Sequence, residues 1–409
     1  MRLCLSGISF ITGILLARLL GPGQFGIYSL VIAWASFLTI PSIMGLRPYV
    51  VREIAAAEAC DDGGGKVRET YRVAINTISI SLLIVVSASL FVFYNYDEIL
   101  GIPFEVLVFA IIPLPLLAFD QIRQAVFQGM RRTALGLFPE ACVQGLLFLL
   151  LVAVFWCVVE DLSMDSSFAL YLRNVAILGS YLVGFFFVLK ISEFRSPKSH
   201  AVHEKPSGVM SWFKAAPPFM LMALSHMISQ RVGVMLLGAL CTPESVGVFT
   251  VALRGAELCA FPLMAINAVA APVFAQLKHA KDVEIRKTYL KYCCYSTLAS
   301  WPLILGLIIF GVDFVALFGS SFKAAYIPLV IICCGQVVNV ATGPAIILLI
   351  MIGGERIASR IILASGVLYI IASIALIPRM QEVGAAISTA AFLMIQNMVV
   401  MAYIFRRVK

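Results

Sequence analysis

Charge is scarce in this chain. Of 409 residues only 13% are charged, 30 Lys+Arg and 22 Asp+Glu, while 61% are hydrophobic. That excludes an ordinary cytosolic or secreted globule, and it excludes disorder, which goes with few apolar residues. Histidine is nearly missing too, with His200, His203, His226 and His279 scattered along the chain. None of the ten cysteines forms a CxxC, and the vicinal pairs Cys293-Cys294 and Cys333-Cys334 fit neither a disulfide framework nor a metal site. Most cysteines sit in apolar blocks, where they act as small hydrophobes. No cofactor and no metal is expected. The chain also lacks long polar segments: only residues 190–215 combine charge, Pro and Ser. With no folded domain outside the apolar blocks, there is nowhere to build an active site exposed to water.

What is present is a series of apolar blocks near the roughly 20 residues that cross a bilayer. The pattern predicts an all-α polytopic membrane protein of about twelve transmembrane helices. Their expected positions are 3–20, 25–46, 73–95, 103–127, 137–159, 168–189, 216–239, 247–271, 293–318, 325–352, 359–377 and 384–405. The first of them is read as a span rather than a signal peptide, because it ends at an arginine and has no small-x-small cleavage site. The polar stretch divides the chain into a six-helix lobe over 1–190, a cytoplasmic linker over 191–215 and a second six-helix lobe over 216–409.

Net charge is +8. In a soluble protein that would suggest nucleic acid, but here the basic residues alternate from loop to loop. One set of loops, with both termini, carries 23 Lys/Arg; the opposite set carries two, Lys323 and Arg379. This is the positive-inside bias, and it predicts both termini and the linker in the cytoplasm, with no nucleic-acid partner. The loops on the other side are all short.

Several motifs fail on context. Gly21-Pro22-Gly23-Gln24-Phe25-Gly26 matches GxGxxG, but lies between two spans rather than after a strand. Gly63-Gly64-Gly65-Lys66 lacks the earlier glycine of a P-loop and reads as a flexible turn, with Asp61-Asp62 solvated beside it. An internal echo is more telling. Leu19-Leu20-Gly21 and Phe25-Gly26-Ile27-Tyr28-Ser29 resemble Leu236-Leu237-Gly238 and Val246-Gly247-Val248-Phe249-Thr250, each in the first hairpin of a six-helix half. With six helices per half, the copies would form a parallel repeat, a common transporter plan.

Five arginines fall inside spans. Each costs roughly 2.5–3.5 kcal/mol at a helix centre and less near an edge, so depth decides which need a function. Arg18, Arg123 and Arg173 lie near helix ends and can snorkel, and Arg123 has Asp120 three residues before it. Arg231 and Arg254 lie roughly 10–12 Å below the apolar edge at 1.5 Å per residue, with Glu257 one turn after Arg254 as its expected partner. Deep bases outnumber deep acids, which points to an anionic cargo. Arginine suits phosphate because its planar fork meets two oxygens at once. Prolines 41, 113, 115, 262, 302, 328 and 344 predict interrupted helices, as in many transporters.

Leu16-Ala17-Arg18-Leu19-Leu20-Gly21-Pro22-Gly23-Gln24-Phe25-Gly26-Ile27-Tyr28-Ser29 resembles the opening signature of the polysaccharide-exporter, O-antigen-type flippase family. That family belongs to the multidrug/oligosaccharidyl-lipid/polysaccharide exporter superfamily. Gly45-Leu46 with Val51-Arg52-Glu53-Ile54-Ala55, the segment Val246 to Glu257, and Gly353-Gly354-Glu355-Arg356 are similar to further stretches of it. The resemblance implies a flippase, not an enzyme, that moves polyprenyl-pyrophosphate-linked oligosaccharide from the cytoplasmic to the outer leaflet by alternating access. It further implies a place in the inner membrane for surface polysaccharide synthesis, as a monomer among membrane lipids, with polysaccharide polymerase machinery a candidate partner. Its cargo-binding residues would be Arg18, Arg123, Arg231, Arg254 and Glu257. Many relatives have an acidic residue early in helix 7, where this chain reads Gln230-Arg231-Val232-Gly233. Two alternatives stay open: a multidrug exporter, whose cavity should be acidic, and a membrane polymerase or ligase, which usually needs a large outer loop.

Overall fold

The computed structural model describes residues 2–58, 63–100, 103–158, 164–190, 227, 231–277 and 282–407. The linker, Asp61-Asp62, Gln230 and the start of the expected seventh span lie outside the described residues. Among the described residues there are helices and no strands. In chain order they are α1 (Arg2–Ile43), α2 (Leu46–Glu58), α3 (Gly63–Leu100), α4 (Phe104–Ile111), α5 (Leu114–Gly129) and α6 (Thr133–Phe138). A π-helical turn (Pro139–Gln144) leads into α7 (Gly145–Val158), followed by α8 (Ser166–Lys190). Then come α9 (Arg231–Leu240), α10 (Pro243–Gln276), α11 (Asp282–Ile309), α12 (Gly311–Ala316), α13 (Tyr326–Thr342), α14 (Ala345–Met351) and α15 (Glu355–Arg407).

Nine helical stretches among the described residues are long and apolar enough to cross a membrane. Two of these are pairs of spans. α1 breaks at Gly21 (φ 69°, ψ 175°) and α15 at Gln381 (φ 47°, ψ −125°). With the shorter apolar helix α9, the described residues thus supply twelve apolar helical segments. The turns at 21 and 381 are tighter than the expected loops at 21–24 and 378–383. A single left-handed residue reverses each, which glycine does without strain and Gln381 does not.

Contacts divide the chain into two compact units, Met1–Leu20 with Leu30–Leu224 and Gly21–Ser29 with Ser225–Lys409. In the first, α2 occupies what the sequence suggested was loop. Val50, Ile54 and Ala57 are buried at helical spacing, and Gly129 of α5 admits Ile54 so closely that an added methyl would sit 2.8 Å from its Cβ. Gly63–Gly65 likewise belong to the first turn of α3 rather than to a flexible turn.

The prolines interrupt fewer helices than expected. Pro113 divides α4 from α5, and Gly343-Pro344 divides α13 from α14, with Gly343 at φ 59°. Pro41, Pro262 and Pro302 sit inside continuous helices. At the α13 break, the carbonyls left over are taken by α11: Tyr289 Oη donates to Thr342 O at 2.7 Å and Ser296 Oγ to Val340 O at 2.6 Å. A broken helix in an apolar setting persists only when neighbours satisfy its backbone in this way. Around that break, Phe274, Tyr289, Ala345, Leu348 and Val400 belong to one buried apolar cluster of the second unit.

Candidate functional site

The five candidate residues fall in both units. Arg231, Arg254 and Glu257 lie in the second; Arg18 and Arg123 lie in the first.

In the second unit, α10 starts at Pro243 behind Thr242, with proline where a helix needs no N–H. Arg254 follows eleven residues later, about 16 Å along the axis from Pro243. Small neighbours clear its surroundings. Gly255 lets Leu329 and Phe314 come within 2.7 and 2.8 Å of where a Cβ would stand, so α10 packs tightly on its far side. The Arg254 guanidinium stacks over the Phe25 ring at 5.3 Å, and Phe25 is fully buried, edge-on to Phe322 at 5.9 Å. An aromatic face beneath a guanidinium holds the charge in place without taking its hydrogen bonds, worth about 0.5–2 kcal/mol.

Glu257, one turn on, is solvent-accessible. Two cations act on it, Arg231 first and Arg254 second. The expected helical pair is therefore joined by a third charged group, the base on α9. Arg231 owes its place to a contact two residues away. A methyl at Gly233 would collide with the Tyr369 hydroxyl, which also meets Thr389 Oγ1 at 3.2 Å, while its ring lies 5.2 Å from Phe392. That contact seats α9 on α15. Three charged groups are thus held by backbone-level packing, with two formal positive charges against one negative. The arrangement can grip an oxyanion through planar guanidinium forks.

The first unit places its arginines differently. Arg18 is exposed, three residues before the break at Gly21, while Leu16 and Ala17 beside it are buried. Arg123 is 2% exposed. Its Nε and Nη2 both donate to Asp120 Oδ1, at 2.8 and 2.6 Å. Gln124 Nε2 donates to Asp120 Oδ2 at 2.8 Å and to Glu140 Oε2 at 2.6 Å. Gly184 on α8 makes room for the guanidinium: a Cβ there would stand 2.6 Å from Arg123 Nε. The π turn that begins at Pro139 carries Glu140 into the same cluster. Asp120, Gln124, Glu140 and Tyr181 line a cavity of about 40 Å³, room for a few waters.

Sequence reasoning missed Phe25, Gln124, Glu140 and Tyr181. Gln124 was readable as the i+4 neighbour of Asp120; the other three come from distant stretches and carry no local signal. Among the described residues no three His, Cys, Asp or Glu side chains converge as a metal site requires.

The polysaccharide biosynthesis protein family matches residues 1–278. No curated protein matches the chain. Among solved structures, the lipid II flippase MurJ in an inward closed conformation is similar with a TM-score of 0.77 at 12% identity, over 98% of this chain and 86% of that one. An inward-facing multidrug resistance MATE family transporter of the MOP superfamily gives 0.72 at 14% identity, over 99% and 94%. A MOP superfamily transporter from Pyrococcus furiosus, described as having a binding pocket of reversed polarity, gives 0.63 at 14% identity, over 100% and 92%. At such identities the likeness is one of fold: a multi-pass membrane transporter fold that runs the length of the chain. With that fold along all of it and the family match over more than half of it, the chain belongs to the polysaccharide biosynthesis protein family.

Proposed function

We propose that this protein is a flippase that carries polyprenyl-pyrophosphate-linked oligosaccharide across the inner membrane by alternating access, for the synthesis of surface polysaccharide. The observation that carries the reading is the α9–α10 cluster. Arg231 on α9 and Arg254 on α10 both act on Glu257, so two bases and one acid from two helices are brought together. A cation-exporting cavity needs the opposite sign. Family membership supports the polysaccharide context, and the likeness to a lipid II flippase supports a lipid-linked sugar as cargo. The multidrug reading has fold likeness alone.

Arg231 and Arg254 hold the pyrophosphate midway, and Glu257 keeps their grip weak enough to let go. Arg18 offers a cation on the exit side. Arg123 acts on the cytoplasmic side through Asp120, since both of its paired nitrogens are engaged. Both termini are cytoplasmic, in keeping with 23 Lys/Arg on that side against two on the other.

The test is leaflet exchange of a fluorescent polyprenyl-pyrophosphate oligosaccharide in liposomes that contain the purified protein. Exchange is expected in wild type, at least tenfold less in Arg231→Ala/Arg254→Ala, and partial recovery in the double lysine variant, which keeps charge without the fork. Full exchange without either arginine would sink the proposed site; a folded wild type inert toward several sugar heads would sink the flippase.

A further inference from the structure

At one end of the second unit three stretches of chain are tied together. The Arg286 guanidinium of α11 lies over the Phe405 ring, near the close of α15, at 5.3 Å. Tyr289, one turn further on, meets the same ring at 6.1 Å. Arg407 Nη2 donates to Ile352 O at 3.4 Å, which joins the close of α15 to the turn before its start. Beneath them Ile285, Leu349, Ala358 and Ile404 share one buried apolar cluster. Residues 282–291, 352–360 and 404–407 thereby form one rim.

Charge on that rim is one-sided. The three stretches carry seven Lys/Arg, every one of them exposed, against the three acids Asp282, Glu284 and Glu355. Among the described residues no ion pair joins those bases to those acids. Aromatic rings hold two of the bases instead: Arg286 over Phe405, and Lys291 Nζ over Tyr295 at 5.7 Å. A ring attracts a cation through its face and leaves the N–H groups free to donate.

From the rim, α11 turns an apolar face outward. Lys287, Lys291, Cys294, Leu298, Trp301 and Leu305 recur at alternating steps of four and three, so they share one side of the helix. All are exposed, Leu298 at 73% and Trp301 at 40%, while Tyr289, Ser296 and Ser300 take the buried side. The stretch from Lys291 to Trp301 is about 15 Å long, half of the roughly 30 Å hydrocarbon core and so the depth of one leaflet. Tyr295 stands where bases give way to apolar residues, the place an amphipathic ring takes at a membrane surface. Bases at the head of a leaflet-deep apolar face suit a molecule that is anionic at one end and hydrocarbon along the rest. In a bilayer the neighbours of such an exposed face are lipids.

We infer that this rim is a docking site for an anionic glycerophospholipid. Its phosphate lies against Arg286, Lys287 and Lys291, and an acyl chain runs along Leu298 and Trp301. The bases on the other two stretches strengthen the field that draws the headgroup in, and each base near a membrane surface adds to that attraction. The site depends on the membrane-spanning fold and not on the cargo.

Trp301 is a built-in reporter, because bromine on an acyl chain quenches an indole only at contact. The full chain is placed in vesicles of phosphatidylcholine and phosphatidylglycerol in equal parts, with one lipid or the other brominated. The signal of Trp301 is the part of the fluorescence lost in Trp301→Phe. Phosphatidylglycerol should be preferred there by roughly fivefold or more, and the preference should shrink as salt is raised. In Arg286→Gln/Lys287→Gln/Lys291→Gln the ratio should fall close to one. Trp156, 39% exposed on α7 of the first unit and read in the same way through Trp156→Phe, should show no such preference. Equal quenching by the two lipids at Trp301, an equal preference at Trp156, or a preference unchanged in the triple variant overturns the site. Should that variant not fold, the wild-type ratios at Trp301 and Trp156 decide. Polyprenyl pyrophosphate added at one molecule per protein should leave the preference intact; its loss would give the rim to cargo and overturn the inference. Inorganic phosphate should weaken the preference no more than sodium chloride of equal ionic strength does. A stronger effect would make the rim a site for a free anion, which also overturns it.

Discussion

The two arginine clusters differ in how their charges are arranged. In the first unit, Arg123 meets one carboxylate through two nitrogens, and that carboxylate is braced by Gln124, which also holds Glu140. Gly184 removes the one side chain that would crowd the guanidinium. In the second unit two arginines share one accessible acid, and one of them rests on an aromatic ring. The first arrangement centres one cation on one braced carboxylate, while the second sets two cations on one acid. In the proposed flippase it is the second arrangement that meets the cargo's pyrophosphate.

Removing Asp120 should break the comparison most sharply. Arg123 would remain buried without its carboxylate, and breaking a buried pair from one side costs about 3–5 kcal/mol. Asp120→Ala is therefore expected to unfold at a clearly lower denaturation midpoint in detergent. Asp120→Leu/Arg123→Met, which removes both charges, should recover most of the loss. An Asp120→Ala protein as stable as wild type would show that the pair contributes nothing to folding.

A smaller effect is expected at Gly184. The added methyl of Gly184→Ala would stand 2.6 Å from Nε and 3.1 Å from Cδ of Arg123, an overpacking that costs roughly 1–3 kcal/mol. Because the strain acts through the guanidinium, Gly184→Ala/Arg123→Met should be close to Arg123→Met alone in a double-mutant cycle. Simple additivity would place the strain elsewhere, on the α5–α8 backbone contact.

Much of the fold was legible because one signal dominates: long apolar blocks report spans whatever their packing. α2 escaped that signal, since thirteen residues with Arg47, Arg52 and Glu53 look like loop to a bilayer-length window. Its period of burial, at Val50, Ile54 and Ala57, was there to be read at helical spacing. The prolines misled in the other direction. Pro262 and Pro302 are absorbed by continuous helices, whereas Pro344 divides one because Gly343 before it adopts a left-handed turn and α11 supplies donors to the freed carbonyls. Only the glycine half of that condition is visible in sequence. The two arginine clusters looked alike on paper, each an acid and a base three apart. Chain order separates them. Asp120 precedes Arg123, the favoured order on a helix, whereas Glu257 follows Arg254 and comes under Arg231 from another helix.

The smallest expected change in stability lies in the second cluster and carries the sharpest test of its meaning. Glu257→Gln keeps the shape of the side chain, removes only its charge and falls on a residue that the fold does not enclose, so it should alter stability less than Gly184→Ala does. Its effect should appear in binding. Without the carboxylate, both arginines face an incoming anion unopposed. An ion-pair energy of ~1 kcal/mol at a wet site translates into pyrophosphate binding about fivefold tighter, by an amount that shrinks as salt is raised. Calorimetric titration of the purified variant with pyrophosphate, at low and at high salt, reads both. Tighter binding combined with slower leaflet exchange would make Glu257 the group that lets cargo leave. Weaker binding would mean that Glu257 orients the arginines rather than opposing them. The second cluster would then be as self-contained as the first, and its two bases would no longer identify the cargo.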